Sequence, residues 1–240
     1  MPSPNARIVL GFAGTAADVA RVHALVAQGR DVVAVIVDVG QTADIDHVRE
    51  QALSAGVSRA HVFDLREEFA RDYVAAARQL SSLHDIAGAV RAEPLVARRL
   101  ADVAAIERAA DVDGSDAFDT PVEAPRGQHA ARTLLERPVF DAAHAPDTAA
   151  HVDLQIEGGV PVAINGVPLS VSELLESVAL IAGRHGIGRL PRIDAPAAPI
   201  VHAAFAALNG EDGIVRFQLH KGELSVLPAH DDNPLLVNHA

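Results

Sequence analysis

The chain has 240 residues, of which 49% are hydrophobic and 22% are charged, and its formal net charge is −12. This composition is that of a globular protein with one large domain or two small ones, which excludes a disordered or fibrous chain. The acidic balance argues against a nucleic-acid partner, and the lack of cysteine excludes disulfides and thiol chemistry. No apolar run approaches the roughly 20 residues of a membrane span, and the start has no signal-peptide pattern, so we expect a cytoplasmic protein without a membrane partner.

The first predicted elements are a strand, a loop of small residues and a helix. Ile8 to Phe12 is a short apolar run, and apolar residues then recur at helical spacing from Val19 to Val26. An open α/β sheet begins in this way, and in such sheets ligands lie beyond the carboxyl ends of the strands. The loop from Gly11 to Asp18 is therefore where a phosphate would lie if the domain binds a nucleotide.

The residues of this loop do not suit a phosphate. Between Ala13 and Asp18 it has one glycine, Gly14, one hydroxyl, Thr15, and no basic side chain. Phosphate loops usually place close backbone N–H groups at glycines and often add a lysine. Asp18 suits the start of a helix, because it complements the helix dipole, and it would repel a polyphosphate at the same end. The loop is therefore predicted to cap a helix.

The next segments extend the sheet. Val32 to Val39 is a continuous apolar run, typical of a strand buried on both faces. Ile45 to Leu53 has helical spacing, and Ala60 to Phe63 is a short third strand. The order βαβαβ predicts an α/β domain with a doubly wound parallel sheet, with these strands side by side and helices on both faces.

Two long helices and an acidic segment follow. Leu65 to Leu83 and Glu93 to Ala110 each carry an apolar face at helical spacing, and His84 to Ala92 between them is predicted to be a loop. The run from Asp111 to Asp119 resembles the start of a calcium loop, but it lacks the glycine at position six and the glutamate at position twelve. An acidic, solvent-exposed loop is the favoured interpretation.

The pattern changes to alternating strands and capped helices near residue 150. We predict a nucleotide-binding-like α/β domain over residues 1–125, a linker over 126–150 and a smaller α+β domain over 151–240. The local signals in the last domain are Gly158 and Gly159 between alternating strands, the turn Asn165 and Gly166, the capping box Ser170 and Glu173, the helix Ile200 to Leu208, and a hairpin across Lys221 and Gly222.

Other candidate sites have plain structural alternatives. His185 and Arg189, in the run GRHGIGR, would suit either an anion contact or a tight structural turn, and the turn is favoured. The 12 histidines include no His-x-x-x-His pair with a supporting carboxylate, so no metal site is predicted. Ser81 and Ser82 lie close to His84 but lack a nucleophile-elbow motif. No catalytic residue is predicted.

Several long runs, in order along the chain, carry a family resemblance. They are IVLGF at Ile8 to Phe12, AVIVDVGQ at Ala34 to Gln41, Val48 to Val74, PLVARRL at Pro94 to Leu100, Glu157 to Ser170, GRHGIGR at Gly183 to Arg189, and Gly213 to Val226. These runs resemble the argininosuccinate synthase family. The resemblance implies a fold of the adenine nucleotide alpha hydrolase type and an ATP- and Mg-dependent ligase. In that reaction the ureido oxygen of citrulline attacks the α-phosphate of ATP, pyrophosphate leaves, and the amine of aspartate displaces AMP.

The positions that carry this chemistry in the family differ here. The family's pyrophosphate loop, Ser-Gly-Gly-Leu-Asp-Thr-Ser, falls on Ala13 to Val19, where only Gly14 is kept. The family's substrate segment, Gly-Thr-Ser-x-Ala-Arg-Pro, falls on Gly88 to Pro94, with Glu93 in place of its arginine. The Thr-Gly-Lys-Gly-Asn-Asp motif has no counterpart at Asp111 to Thr120, and the Lys-Ser-Arg-Gly-x-Tyr-Glu motif is missing after GRHGIGR.

These departures predict a catalytically inactive member that acts by binding, as a regulatory pseudoenzyme. Gly14, Thr15, Asp38 and Gln41 are then vestigial nucleotide-loop positions, and no cofactor is expected, including the family's ATP and Mg. The alternative is a divergent enzyme on the same fold, either a residual argininosuccinate synthase or an enzyme for another small molecule.

An oligomer is also expected. The family is oligomeric and the long helices have alanine-rich faces, so a homodimer is favoured over a monomer. The family's tetramer is disfavoured, because its C-terminal tail is not found before Ala240. Binding to a different protein is a further hypothesis.

Overall fold

The computed structural model describes residues 6–41, 43–79, 92–114, 133–190 and 194–228. The chain divides into two compact units, Met1–Ala70 with Val90–Glu136, and Arg71–Ala89 with Arg137–Ala240. Several segments singled out in the sequence lie outside the described residues: Leu80 to Leu83, His84 to Arg91, Ser115 to Thr120, and residues 126–132 of the predicted linker.

A four-stranded parallel sheet forms the centre of the first unit, in the strand order β3-β2-β1-β4. The order reverses between β1 and β4, and in open sheets the ligand crevice lies beyond the carboxyl ends of the strands at such a switch point. The strands are β1 (Arg7–Gly11), β2 (Asp31–Asp38), β3 (Arg59–Asp64) and β4 (Asp111–Asp113). Helices α1 (Ala16–Ala27), α2 (Ile45–Ser54) and α3 (Arg66–Ala77) follow β1, β2 and β3 in the chain, and α4 (Glu93–Glu107) precedes β4.

The core lies on both faces of this sheet. Residues of β1 and β2 on one face, such as Leu10 and Ile36, pack with Val22 of α1 and Val48 of α2. Alternate strand residues such as Val33 point to the opposite face, where α4 contacts β1, β2 and β4. The predicted doubly wound α/β fold is therefore confirmed, with β2 as an inner strand between β1 and β3.

The fourth strand corrects the sequence analysis. Asp111 to Asp113 was predicted to begin an exposed acidic loop, but these residues form β4, which pairs in parallel with β1. The carboxylate of Asp111 lies 2.5 Å from Arg30 Nη2, and Asp113 pairs with Arg21. The local pattern, two acids around one valine, has no apolar run to mark a strand. The arginines that pair with the acids lie 81 and 92 residues away in the chain, so the sequence gives no local sign of them.

The second unit contains a five-stranded antiparallel sheet, in the order β7-β6-β5-β8-β9. The predicted hairpins across Gly158 and Gly159 and across Lys221 and Gly222 are both present. The strands are β5 (Ala150–Glu157), β6 (Val160–Ile164), β7 (Val167–Pro168), β8 (Gly213–His220) and β9 (Glu223–Leu227). Helices α5 (Val171–Arg184) and α6 (Ala197–Leu208) and a 3-10 helix (Ala142–His144) complete the unit.

Alternation and capping explain these elements. Val152 and Leu154 of β5 and Phe217 of β8 are buried, whereas their neighbours along each strand are partly or fully exposed. Ser170 and Glu173 form the predicted capping box, since the Ser170 side chain accepts from the Glu173 N–H and the Glu173 carboxylate accepts from the Ser170 N–H. In the part of the chain that the structure describes, no helix is long and apolar enough to cross a membrane.

Candidate functional site

The loop between β1 and α1 lies at the carboxyl end of β1, beside the switch point of the sheet. Phe12 N–H donates to Val35 O at 2.9 Å, which extends the pairing of β1 with β2 by one bond. Gly14 then adopts φ +81°, and a Cβ there would lie 3.0 Å from both Gln51 Oε1 and Val48 Cγ2. The left-handed backbone and the close packing on α2 both require glycine at this position.

Thr15 is the N-cap of α1. Its backbone is extended, at φ −75° and ψ 157°, and its Oγ1 accepts a hydrogen bond from the Asp18 N–H at 3.1 Å. The Asp18 carboxylate returns the contact by accepting from the Thr15 N–H at 3.1 Å. The two residues therefore form a capping box, which satisfies N–H groups that a helix start leaves unpaired.

The Asp18 carboxylate also contacts the loop before the helix. The oxygen that accepts from Thr15, Oδ2, accepts from the Ala13 N–H at 3.0 Å, and Asp18 is only 4% exposed. In phosphate loops, N–H groups at the start of a helix point at phosphate oxygens. Here the carboxylate of the chain itself takes two of these donors, through charge-assisted bonds that the helix dipole also favours.

Asp38 and Gln41 hold the backbone where β2 ends. The Asp38 carboxylate accepts from the Gly40 N–H at 2.8 Å. Gln41 Oε1 accepts from the Val39 N–H at 2.8 Å, and its Nε2 donates to Val37 O at 2.6 Å. Both ends of the Gln41 amide are thus bonded to β2 and the turn that follows it.

An aspartate stands at or just beyond the carboxyl end of every strand of this sheet. Asp38, Asp64 and Asp113 are the last residues of β2, β3 and β4, and Asp18 follows β1. Arg66 binds Asp64 through two hydrogen bonds, Nε to Oδ1 at 3.0 Å and Nη2 to Oδ2 at 2.7 Å. This contact holds the pKa of Asp64 below its usual value. This edge of the sheet therefore carries the carboxylates of Asp38, Asp64 and Asp113, with Asp18 in the first turn of α1. The sequence analysis missed this arrangement, because it identified three of the strands but not β4.

His185 and Arg189 belong to the second unit. His185 ends α5 and is 6% exposed, and its pKa is lowered by burial and, to a smaller extent, by the nearby His220. Arg189 is exposed, and its Nη2 donates to Val139 O at 2.8 Å. Between them, a Cβ on Gly188 would lie 2.2 Å from the Cα of a proline, so the backbone is tightly packed there.

A buried ion network lies at the opposite end of the first sheet, where the strands begin. The side chain of Glu107, the last residue of α4, is 4% exposed and contacts Arg7 Nη1 at 2.8 Å, His61 Nε2 at 2.9 Å and Arg59 Nη1 at 3.1 Å. The hydrogen bond with His61, followed by those with the arginines, lowers the pKa of Glu107. The sequence analysis predicted a helix with an apolar face over Glu93 to Ala110 but did not single out Glu107 or these partners.

The network fixes the end of α4 to β1 and β3. It lies at the opposite end of the sheet from the carboxyl ends of the strands, where the candidate loop is found. Within the described ranges, no three His, Asp or Glu side chains are arranged as ligands of a metal ion.

Comparison with known proteins identifies one family. The sequence profile described as "Arginosuccinate synthase N-terminal HUP domain" matches residues 7–115, and that described as "Arginosuccinate synthase C-terminal domain" matches residues 133–197. The argininosuccinate synthase of Nitratidesulfovibrio vulgaris (strain DP4) is 27% identical over 260 residues, covering 75% of this chain and 66% of that protein. The argininosuccinate synthase of Dehalococcoides mccartyi (strain ATCC BAA-2266) is 29% identical, covering 85% of this chain and 70% of that protein.

A third relative, the argininosuccinate synthase of Streptococcus suis (strain 05ZYH33), is 25% identical, covering 78% of this chain and 64% of that protein. Against the first of these relatives and this one, the chain spans slightly less than two thirds of the relative's length. The two profiles cover all of the runs that carry the resemblance except Gly213 to Val226. The chain belongs to the argininosuccinate synthase family.

Proposed function

We propose that this protein does not join citrulline to aspartate and that it acts by binding, as a regulatory member of its family. The observation that carries the proposal is the position of the Asp18 carboxylate, which accepts from the N–H groups of Ala13 and Thr15. These are the donors that a phosphate in this loop would need. The proposal therefore rests on a loop that already holds an anion.

The energetics favour this proposal. Stabilisation of the charge that develops on the transferred group supplies much of the rate in phosphoryl-type chemistry, and the loss of one such donor costs roughly 3 kcal/mol. A phosphate oxygen beside the buried Asp18 would also meet a like charge, which at about 4 Å and an effective dielectric constant of about 20 costs roughly 4 kcal/mol. Either term is a large part of the free energy with which an enzyme holds a nucleotide.

The charge at the strand ends supports the same conclusion. Asp38, Asp64 and Asp113 end the other three strands, and Arg66 and Arg21 are paired with these carboxylates rather than available to a polyphosphate. Glu93, the first residue of α4, stands where the family's substrate segment has an arginine. A carboxylate there would repel the carboxylate of an amino-acid substrate.

Pyrophosphate release is the direct test. The full chain is incubated with ATP, Mg²⁺, citrulline and aspartate, and the N. vulgaris argininosuccinate synthase serves as the positive control. We expect release at the background rate. Release above background that requires both citrulline and aspartate would overturn the proposal and favour a residual ligase.

Calorimetric titration with ATP, AMP, citrulline and aspartate distinguishes a non-catalytic binding protein from an enzyme that acts on other substrates. We expect no ATP binding to the unmodified chain. The variant Asp18→Ala should gain measurable ATP affinity, because two N–H donors are released and a like charge is removed, whereas Asp46→Ala, at an exposed acid in the first turn of α2, should not. Tight binding of ATP to the unmodified chain would contradict the assigned role of Asp18. Binding of citrulline or aspartate alone would favour an enzyme that acts on a different pair of substrates.

A further inference from the structure

Three segments of the second unit meet closely around His185. The N–H of Gly222, in the turn between β8 and β9, donates to His185 O at 2.6 Å. A Cβ on Gly222 would lie 3.3 Å from Ala142 Cβ, and one on Gly186 would lie 3.1 Å from Ala142 Cα. The end of α5, the 3-10 helix and the β8–β9 turn are therefore closely packed at this junction, and a side chain on Gly186 or Gly222 would have to displace Ala142.

The imidazole of His185, the residue whose carbonyl binds Gly222, is buried without full hydrogen bonding. His185 is 6% exposed, and its Nδ1 has no hydrogen-bond partner among the described residues. A buried polar atom without a partner destabilises the fold, and a buried charge without a partner destabilises it more. The C-terminal end of α5 favours a positive charge, but this effect is smaller than the cost of burying the charge. The balance keeps the ring neutral in the folded state.

The charged groups near the junction do not stabilise a positive charge on the His185 ring. His220, on β8, lies close enough to repel it, and Lys221 is paired with Asp147 at 2.6 Å. The His220 ring contacts Asp147 O at 3.1 Å, so Asp147 is already engaged with the β8–β9 turn. The ionisable groups of the segments that meet here are Arg184 at the end of α5, Arg189 and Asp194 after it, Asp141, His144 and Asp147 around the 3-10 helix, and His220, Lys221 and Glu223 of the hairpin.

We propose that this junction is an acid-sensitive switch in which uptake of a proton by His185 separates the β8–β9 turn from the end of α5. The ring and the carbonyl that holds Gly222 belong to the same residue. Because the ring can reach water only when the junction opens, the open form binds the proton more tightly than the closed form, and acid favours opening, in which the bond from Gly222 N–H breaks and the close contacts with Ala142 are lost. The consequence is local opening of the hairpin at mildly acidic pH, independent of what the first unit binds.

Amide hydrogen exchange tests the switch on the full chain. Protection factors, corrected for the intrinsic pH dependence of exchange, are measured at pH 7.5 and pH 5.5 at micromolar concentration. In the unmodified protein we expect protection of the Gly222 amide to fall by a factor on the order of ten at the lower pH. Protection of Phe217, in the middle of β8, should stay the same.

Two variants identify the titrating residue. His185→Gln keeps a polar side chain but gains no charge, so the fall in Gly222 protection should disappear. His202→Gln, at a half-buried histidine of α6, is the matched control and should retain the fall. Unchanged protection in the unmodified protein, or a fall that persists in His185→Gln, would overturn the proposal.

A ring titration keeps the test decisive if His185→Gln does not fold. The proton resonances of the His185 ring are followed with pH in the unmodified protein, beside the Gly222 amide. The midpoint of the ring titration should coincide with the midpoint of the loss of protection. Midpoints that differ by more than the error of the measurement would assign the opening to another group and refute the switch.

Discussion

Single residues set the conformation of the candidate site. Gly14 lets the chain turn sharply after β1, Thr15 ends that turn by capping α1, and Asp18 binds the N–H groups on both sides of it. Each role depends on backbone geometry that only a few residue types provide. The same loop is therefore both a stable helix start and a poor phosphate site.

The requirement for glycine at position 14 gives a stability prediction. Gly14→Ala should lower the free energy of unfolding by about 2 to 3 kcal/mol, because the new Cβ meets both a left-handed backbone and close atoms of α2. Gly29→Ala is the control, since Gly29 has a similar φ of +77° but no atom within 4 Å of its Cβ position. It should lose only about 1 kcal/mol. Urea denaturation measures both, and equal losses would show that packing on α2 is unimportant.

Contacts between elements explain how α4 is held over the sheet. Glu107 binds β1 and β3 through Arg7, Arg59 and His61, and Arg99 lies two helical turns earlier. The Arg99 guanidinium stacks 6.0 Å from the centre of the Phe63 ring of β3. Polar contacts at a two-turn spacing thus fix the helix to an edge strand of the four-stranded sheet.

Loss of the Glu107 carboxylate should weaken this attachment. Glu107→Gln leaves two arginines without their buried counter-charge, so we expect a loss of about 2 kcal/mol in the free energy of unfolding. Glu50→Gln, at an exposed position of α2, should change it by less than about 0.5 kcal/mol. The comparison uses thermal and urea unfolding at pH 7. A variant as stable as the unmodified protein would mean that the network contributes nothing net.

The same carboxylate gives a pH prediction. Its partners hold the pKa of Glu107 below the ordinary value of 4.5, so the folded chain takes up this proton less readily than the unfolded chain. The resulting stabilisation is present above about pH 4.5 and is lost as the pH falls through the lowered pKa. Unfolding free energies measured from pH 6 to pH 3 should fall less steeply for Glu107→Gln than for the unmodified protein. Parallel curves would contradict this.

The short strand β4 depends on charge neutralisation from the other elements. Arg30→Ala removes the partner that lies 2.5 Å from the Asp111 carboxylate, and we expect severalfold faster exchange of the Val112 amide. The effect on total stability should be below about 1 kcal/mol, since Asp111 is half exposed. Arg49→Ala, on the exposed side of α2, serves as the control. Unchanged exchange at Val112 would show that pairing with β1 suffices.

At the scale of the whole molecule, the oligomeric state is the property to be tested. We propose a homodimer, because the helices present alanine-rich surfaces and the family resemblance implies an oligomer. Light scattering at micromolar concentration should then give about twice the chain mass of 25.1 kDa. A single-chain mass would refute the dimer, and a mass four times that of the chain would favour a tetramer.

Restoring one motif should not restore the reaction. Replacement of Ala13 to Val19 by Ser-Gly-Gly-Leu-Asp-Thr-Ser rebuilds the loop of the family but leaves Glu93 and the missing lysine motif unchanged. We expect pyrophosphate release to stay at background, because positioning and charge stabilisation act together in such sites. A citrulline- and aspartate-dependent rate in this variant would show that the loop alone abolished activity.

Local patterns in the sequence determined most of the elements. The apolar run of β2, the alternation around Gly158 and Gly159 and the capping box at Ser170 each act over a few residues, so periodicity and turn chemistry were sufficient to predict them. The family was identified in the same way, since long runs of sequence are specific. The predicted α/β fold followed because buried parallel strands and amphipathic helices combine in few ways.

Only the tertiary structure decided which charged side chains pair with one another. The aspartates of β4, which pairs with β1, are bound by Arg21 and Arg30, and the buried Glu107 carboxylate is bound by Arg7, Arg59 and His61. Asp18 was predicted to repel a phosphate, but the structure adds that its carboxylate takes the Ala13 and Thr15 N–H groups itself. The physical reason is that a charge acts through space on partners far away in the chain, and a linear pattern carries no record of which partner the fold brings near.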